Sequence, residues 1–410
     1  MQRLRWKALA GMIVGACLVL ALPLLAQAKE KKHASGHEST ETAVDLSSLD
    51  QESSPVGSGA GGSSDALQIH GFAVGDYSTD LSSGANSFDA SALALAVFKP
   101  LLRGRVSLYG QLTAARDAGP QFVAPGQSPS SLPGPADIAT DIDTLQVNWV
   151  VSPEHGFDMT FGKFDSPLAV ERDDAPLNYQ ATSSYLFDFG RPVKFTGLML
   201  HEAFSPELEG YAIIANGNDG GVDNNQQKTG ALYGIWSPSL AQHYGLGVIR
   251  GREGGSARAT TVATLTLQPA ASWVVGGEGI SGRQAASPTV PVSARWKGVM
   301  LFLHHRFPLI GEEPGQWALT ARGEIFDDPQ GIRTGIAQRL TSLTLSPQYL
   351  VGGGFYGIFH NLEHTTLRLP ELAVRLDLRW DHSTVPVFAQ GADTVGSNHW
   401  SSALQVVYVF

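Results

Sequence analysis

Charged side chains in this chain recur two apart inside apolar segments. Arg322 and Glu324 flank Gly323, and Arg375, Asp377 and Arg379 alternate with Leu376 and Leu378. Arg103 and Arg105 head another such segment. At a spacing of two, side chains leave an extended strand on one face. A row of guanidinium and carboxylate groups on one face can do two things. It can act as a fixed field that sorts charged solutes, as rings of side chains do in channels. It can instead form cross-strand ion pairs that brace a wall. Arg outnumbers acid in this set, so a field of this kind predicts a mild preference for anions.

A second collection lies in Asp165–Lys194. This stretch mixes Glu171, Arg172, Asp173, Asp174, Asp188 and Arg191 with Tyr179, Tyr185, Phe187 and Phe189. Aromatics can anchor a loop to a wall while its charges face a path. The stretch is therefore expected to be a constriction; the alternative is an exposed surface loop.

Other chemistries find little support. Asp219, Asp223, Asn224 and Asn225 offer the oxygen donors that calcium takes, without the terminal Glu of a full calcium loop, and a solvated acidic loop is the reading adopted. His304-His305, His360, His364 and His399 show no metal-ligand spacing. There is no Gly-x-Ser-x-Gly elbow and no Walker loop. Neither an enzyme, a cofactor nor a metal is expected. The formal charge is −10, and loss of Arg3, Arg5 and Lys7 with an amino-terminal signal would make it −13. That charge disfavours nucleic acid, whose binding leans on phosphate neutralisation.

The elements that would position these residues alternate with period two. Val106, Leu108 and Leu112 oppose Ser107, Tyr109 and Gln111, in a strand read as Arg103–Thr113. Leu145, Val147 and Trp149 oppose Thr144, Gln146 and Asn148, and Leu319, Ala321 and Ile325 oppose Thr320, Arg322 and Glu324. Many such segments separated by turn signals mark a transmembrane β-barrel. Closure pairs every backbone group without leaving an edge in lipid. An outward charge at mid-depth costs about 2–4 kcal/mol per Arg or Lys, so the charged faces should point inward.

Short connections fall near Pro100, Pro153, Pro206, Pro238, Pro269 and Pro308, and a seventh near Pro347 or Pro370. Longer polar ones fall at 78–87, 116–140, 165–192, 216–228, 282–291, 327–336 and 382–397. Short periplasmic turns and long external loops are the two rims of an outer-membrane barrel. Seven short turns with both ends on that side predict sixteen antiparallel up-and-down strands, with fourteen or eighteen as alternatives.

Composition agrees. Charged residues make up 16% of 410, against about 25% in average proteins, and there are 46 glycines. Residues 1–28 read as a signal peptide: a basic start, an apolar Ala8–Leu25 and a small-residue Ala26-Gln27-Ala28 end. Residues 29–66 are polar and Gly/Ser-rich, a disordered periplasmic lead. Cys17, the one cysteine, falls inside the signal. The barrel is assigned to 67–410.

Ser402–Phe410 places Phe410, Tyr408, Val406 and Leu404 on one face. It resembles the closing strand of outer-membrane barrels, in which the terminal aromatics, here Tyr408 and Phe410, serve as assembly signal. Further motifs point the same way. They are Gly162-Lys163-Phe164, Glu171, Asn178-Tyr179, Ser183-Ser184-Tyr185, Phe187, Pro192, Thr196-Gly197, Ala215-Asn216-Gly217, Asp223-Asn224-Asn225 and Lys228-Thr229. Later stand Arg322-Gly323-Glu324-Ile325-Phe326-Asp327-Asp328, Leu343-Thr344-Leu345-Ser346-Pro347 and Arg379-Trp380-Asp381-His382-Ser383. In this order they resemble the beta-barrel porin family of OmpL-like outer-membrane proteins.

The resemblance implies a pore in the outer membrane of a Gram-negative-type bacterium. The expected function is passive diffusion of small hydrophilic solutes through a charged lumen. Expected partners are outer-membrane lipid, the barrel-assembly machinery and those solutes, with a homo-oligomer as a possible assembly. The alternative is a non-conducting barrel that acts as scaffold, adhesin or holder of a partner protein.

Overall fold

The computed structural model describes residues 66–116, 119–132, 138–218, 227–253, 255–288, 290–309, 315–352, 369–391 and 393–410. Residues 1–28, read as a signal peptide, nearly all of 29–66, Cys17, and the loop residues Asp219, Asp223, Asn224 and Asn225 lie outside them, as do His360 and His364. In chain order the strands are β1 (Gln68–Asp80), β2 (Asn86–Leu101), β3 (Val106–Arg116), β4 (Ile138–Ser152), β5 (Phe157–Asp165) and β6 (Lys194–Ser205). Next come β7 (Leu208–Ala215), β8 (Thr229–Ser239), β9 (Gln242–Glu253), β10 (Ser256–Ala270), β11 (Trp273–Gln284) and β12 (Ala294–Arg306). The last are β13 (Gly315–Asp328), β14 (Gln338–Val351), β15 (Leu372–Ser383), the short β16 (Phe388–Ala389) and β17 (Val395–Gly396), and β18 (Asn398–Val409).

Among the described residues, β1–β15 and β18 form one closed sixteen-strand antiparallel barrel, and β16 and β17 make a small separate hairpin. The terminal strand closes it, pairing β1 from Phe72↔Val409 to Asp80↔Ser401 and β15 from Leu372↔Tyr408 to His382↔Asn398. The Phe410 ring covers Gly71, and their backbones exchange hydrogen bonds of 2.8 and 2.9 Å. Tyr408 and Phe410 stack on the outer face with centroids 6.0 Å apart.

Alternation sets the two faces as expected. Leu145, Val147 and Trp149 are exposed outward, while Thr144, Gln146 and Asn148 are buried inward. Aromatic pairs mark both rims. Trp236–Tyr244 and Trp317–Tyr349 lie toward the short turns, and Tyr77–Phe88 and Trp380–Trp400 toward the long connections. Such girdles flank the apolar band of membrane barrels, where an amphipathic ring meets both hydrocarbon and headgroups.

Three expectations change. The strand read as Arg103–Thr113 begins at Val106 instead. Leu102 and Arg103 take left-handed backbone (φ 50° and 58°), so Arg103 and Arg105 belong to an exposed turn at the short-turn rim, not to the lumen wall. The seventh short turn does not fall at Pro347, which lies inside β14 opposite Leu319, and β15 begins only at Leu372. On the opposite rim, β9 ends at Glu253 and β10 begins at Ser256, a connection too short to announce itself as a loop. Gly255 there has φ 75°, the left-handed backbone that tight hairpins require.

Gly162 explains the first motif physically. Its φ is 134°, and a Cβ would sit 2.1 Å from the Leu145 carbonyl oxygen on β4. Gly162→Ala is expected to destabilise the barrel by about 1–3 kcal/mol. The urea midpoint, followed by the heat-modifiable shift on gels, should fall; an unchanged midpoint would show that the backbone relaxes freely there.

Candidate functional site

The connection between β5 and β6 folds inward. Its neck is closed by the Ser166 amide, which donates to the Val193 carbonyl at 2.8 Å. From there the segment crosses to the far wall. Leu168 packs over Gly245 on β9, where a side chain on that glycine would collide with it. A short helix, α1 (Tyr185–Phe189), is capped by the Ser184 hydroxyl, which accepts from the Phe187 amide at 3.1 Å. Tyr185 and Leu186 on this helix are fully buried.

The wall arginines grip this segment by its backbone. Arg322 donates to the Thr182 carbonyl at 2.6 Å, to the Ser183 carbonyl at 3.0 Å and to the Glu171 carboxylate. Arg375 donates to the Ala175 carbonyl at 2.9 Å and to Gln405 at 3.2 Å. Arg379 donates to the Ser183 carbonyl, pairs with Asp381 at 2.9 Å and lies 4.8 Å from the Tyr185 ring centre. Carboxylates answer from the same strands. Asp377 accepts from the Thr182 amide and hydroxyl at 2.9 and 2.7 Å, and Glu324 accepts from the Tyr185 amide at 2.6 Å. Hydrogen bonds involving a charged group contribute about 1.5–3 kcal/mol each.

The exit of the segment is fixed as firmly. Arg191 and Glu278 form a buried ion pair at 2.6 Å, with side chains 1% and 2% exposed. Glu278 also accepts from the Val170 amide at 3.3 Å. The Trp296 indole donates to the Gly190 carbonyl at 2.9 Å. Arg172 donates to the Ser166 carbonyl at 3.1 Å and so stays within its own loop.

A carboxylate cluster lies where the segment leaves and rejoins the barrel. Lys194 contacts Asp143, Asp165 and Asp173 at 2.9, 2.6 and 2.7 Å. Asp174 stands beside them and accepts from Gln111 at 2.7 Å. Burial first, and then the charge of Asp173, pushes the Asp174 carboxyl well above the usual range. One ammonium therefore faces four carboxyl groups. Nearer the short turns, His201 sits between Asp158 at 2.7 Å and Glu209 at 3.1 Å.

The inner face is not uniformly polar. Ile213, Tyr233, Ile249, Val262, Met300 and Phe302 point inward and pack with Leu168, Tyr185 and Leu186 in one buried apolar cluster. Fully burying one such side chain is worth about 1.5–3 kcal/mol. The inward face of the last strand, Val407 and Val409, joins a second cluster with Phe72, Val74 and Leu369. The infolded segment thus turns part of the lumen into a packed core.

Of the sequence candidates, Glu171, Arg172, Asp173, Asp174, Arg191, Arg322, Glu324, Arg375, Asp377 and Arg379 all belong to the segment or the wall that holds it. Arg103 and Arg105 do not. Glu278, Asp381, Trp296 and Gln348, whose amide donates to the Tyr179 carbonyl, were missed. Asp381 continues the 375, 377, 379 series by one further step of two. Glu278 is an acid between glycines on the inward register of β11.

No curated protein matches the sequence. Among solved structures, the fold is similar to the anion-selective porin from Comamonas acidovorans, at TM-score 0.51 and 11% identity, covering 84% of this chain and 100% of that one. It is similar to OprB from Pseudomonas putida, at TM-score 0.52 and 11% identity, covering 84% and 94%. A loop-L8-deleted OmpT, an outer membrane protein of Vibrio cholerae, gives TM-score 0.50 and 10% identity, covering 84% and 99%. At these identities the likeness is one of fold alone. The sequence of residues 76–410 matches the family described as "Putative beta-barrel porin-2, OmpL-like", and the chain belongs to that family of outer-membrane barrels.

Proposed function

We propose that the chain is a passive outer-membrane channel for small hydrophilic solutes, narrowed by the 165–194 segment. Residues 1–28 serve as its export signal, 29–66 as a periplasmic lead, and Tyr408 with Phe410 as its assembly signal. The observation that carries this reading is the infolded segment itself, held inside a closed barrel by wall arginines that donate to its carbonyls. An external surface loop would need no such grip. The same contacts alter the expected selectivity. Arg322, Arg375 and Arg379 are engaged by the segment, whereas Lys194 is outnumbered by the acids around it. The path is therefore expected to favour cations weakly.

The packed apolar cluster favours a second reading, a barrel too full to conduct that holds a partner. Planar-bilayer recording separates the two. The channel reading expects small, uniform conductance steps and a reversal potential of cation-selective sign across a salt gradient. Folded, inserted protein that gives no steps would sink it in favour of the closed barrel. Clear anion selectivity would restore the field reading of the arginines.

A further inference from the structure

Cations on the outer face gather on one sector of one rim. Arg250 and Arg252 end β9, Arg283 ends β11, Arg295 and Lys297 begin β12, and Arg339 begins β14, all at the long-connection side. Their neighbours Ile249 and Trp296 are each 2% exposed and point inward, so alternation turns these cations outward, and Arg250, Arg283, Arg295 and Lys297 are exposed. Arg283 and Arg295 are direct cross-strand partners. Like charges placed so repel, and the arrangement is destabilising without an anion between them. Among the described residues, no ion pair joins Arg250, Arg283 or Arg295 to an acid; the carboxylate of this register, Asp327, is bound by Arg339 at 3.0 Å.

Between the two groups of arginines runs β10, whose outward residues at this rim, Ala257, Ala259 and Thr261, are small. Ala259 lies opposite Arg250 and Ala257 opposite Arg252. This leaves a shallow trough about 10 Å across, two strand spacings, with guanidinium groups on both banks. Toward the membrane centre the same strands become apolar outward, with Leu246 and Val248 on β9 and Val299 on β12 exposed. An occupant must thus carry anionic groups on both banks and hydrocarbon below. Guanidinium forks match phosphate oxygens in pairs.

We infer that this sector binds an acylated, bis-phosphorylated sugar lipid of the outer leaflet, its phosphates on the arginines and its chains on the apolar band. The inference rests on the membrane orientation in the channel reading, with the long connections outward, but not on conduction.

The test uses the full mature chain folded in detergent and native mass spectrometry with three probes: bis-phosphorylated lipid A, its mono-phosphorylated form and phosphatidylglycerol. Wild type is expected to retain the first at least tenfold better than the third, with the second between. The double variant Arg283→Gln/Arg295→Gln should lose about tenfold in that retention, while Arg103→Gln/Arg105→Gln on the other rim should not. The double variant Arg283→Lys/Arg295→Lys keeps the charge and should lose part of the retention. Equal retention of all three probes would overturn the inference, as would an unchanged glutamine variant. So would a loss of protein oligomers, rather than lipid adducts, in that variant, which would make the sector a contact between copies. If the glutamine variant fails to fold, the probe ranking of wild type decides.

Discussion

Arg322→Ala is expected to raise single-channel conductance severalfold. Arg322 is 3% exposed, and its guanidinium bridges Glu171 to the Thr182 and Ser183 carbonyls. Removing it leaves the Thr182 carbonyl without that donor, the Ser183 carbonyl with Arg379 alone of the two arginines, and Glu171 without its cation. Breaking a buried pair in this way costs about 3–5 kcal/mol. That is enough to shift the docked segment toward an open population, because each 1.4 kcal/mol changes an equilibrium about tenfold. The segment carries its own trypsin site at Arg172, whereas the Arg191-Pro192 bond is resistant. Trypsin should therefore cut the variant barrel at Arg172 while wild type resists. Arg322→Lys retains charge but offers no planar fork, and should fall between the two. Wild-type conductance together with wild-type protease resistance in Arg322→Ala would refute the pinning.

Glu278→Leu should produce the largest loss of stability. It deprives the Arg191 guanidinium of its carboxylate in a site from which water is excluded, where the Pro192 and Glu171 carbonyls lie at 3.3 Å. The expected cost is again about 3–5 kcal/mol, and it should appear as a lower urea midpoint and a lower heat-modification temperature. The double variant Arg191→Leu/Glu278→Leu should recover most of the loss, since a buried pair replaced by packed apolar groups is often neutral. Failure of the double variant to recover would mean that the pair's hydrogen bonds to backbone, not its charges, hold the exit of the segment.

The two variants fail differently, and that distinguishes the roles of the two arginines. Arg322 sits on the wall and Arg191 on the segment. Loss of the first should open the lumen of a folded barrel. Loss of the Arg191 partner should weaken the barrel itself, because Glu278 also binds the Val170 amide and so joins entry and exit of the segment to β11.

Much of this was legible locally. Period-two alternation assigned Thr144, Gln146 and Asn148 inward and Leu145, Val147 and Trp149 outward, because a strand side chain has only two directions to take. The charged series 322–324 and 375–379 fell on the inward face for the same reason. The strand count followed from turn chemistry and parity. The error at Arg103 has a local cause too: a left-handed turn breaks the alternation without changing residue types, so a period counted through it runs on falsely.

What the chain order could not reveal was the fate of those inward charges. An arginine on an inward face has the same local sequence whether it meets water or a carbonyl. Arg322 finds Thr182 from 140 residues away, and Arg375 finds Ala175 from 200. The amino-acid sequence by itself determined a closed membrane barrel, its two faces and the segment rich enough in charge and aromatics to matter inside it. Only the tertiary structure decided that the segment lies against the far wall, that the arginines bind its backbone, and that part of the lumen is packed. The reason is that strand pattern is written by neighbours two residues apart, whereas the grip on a loop is written by partners that meet only when the sheet closes.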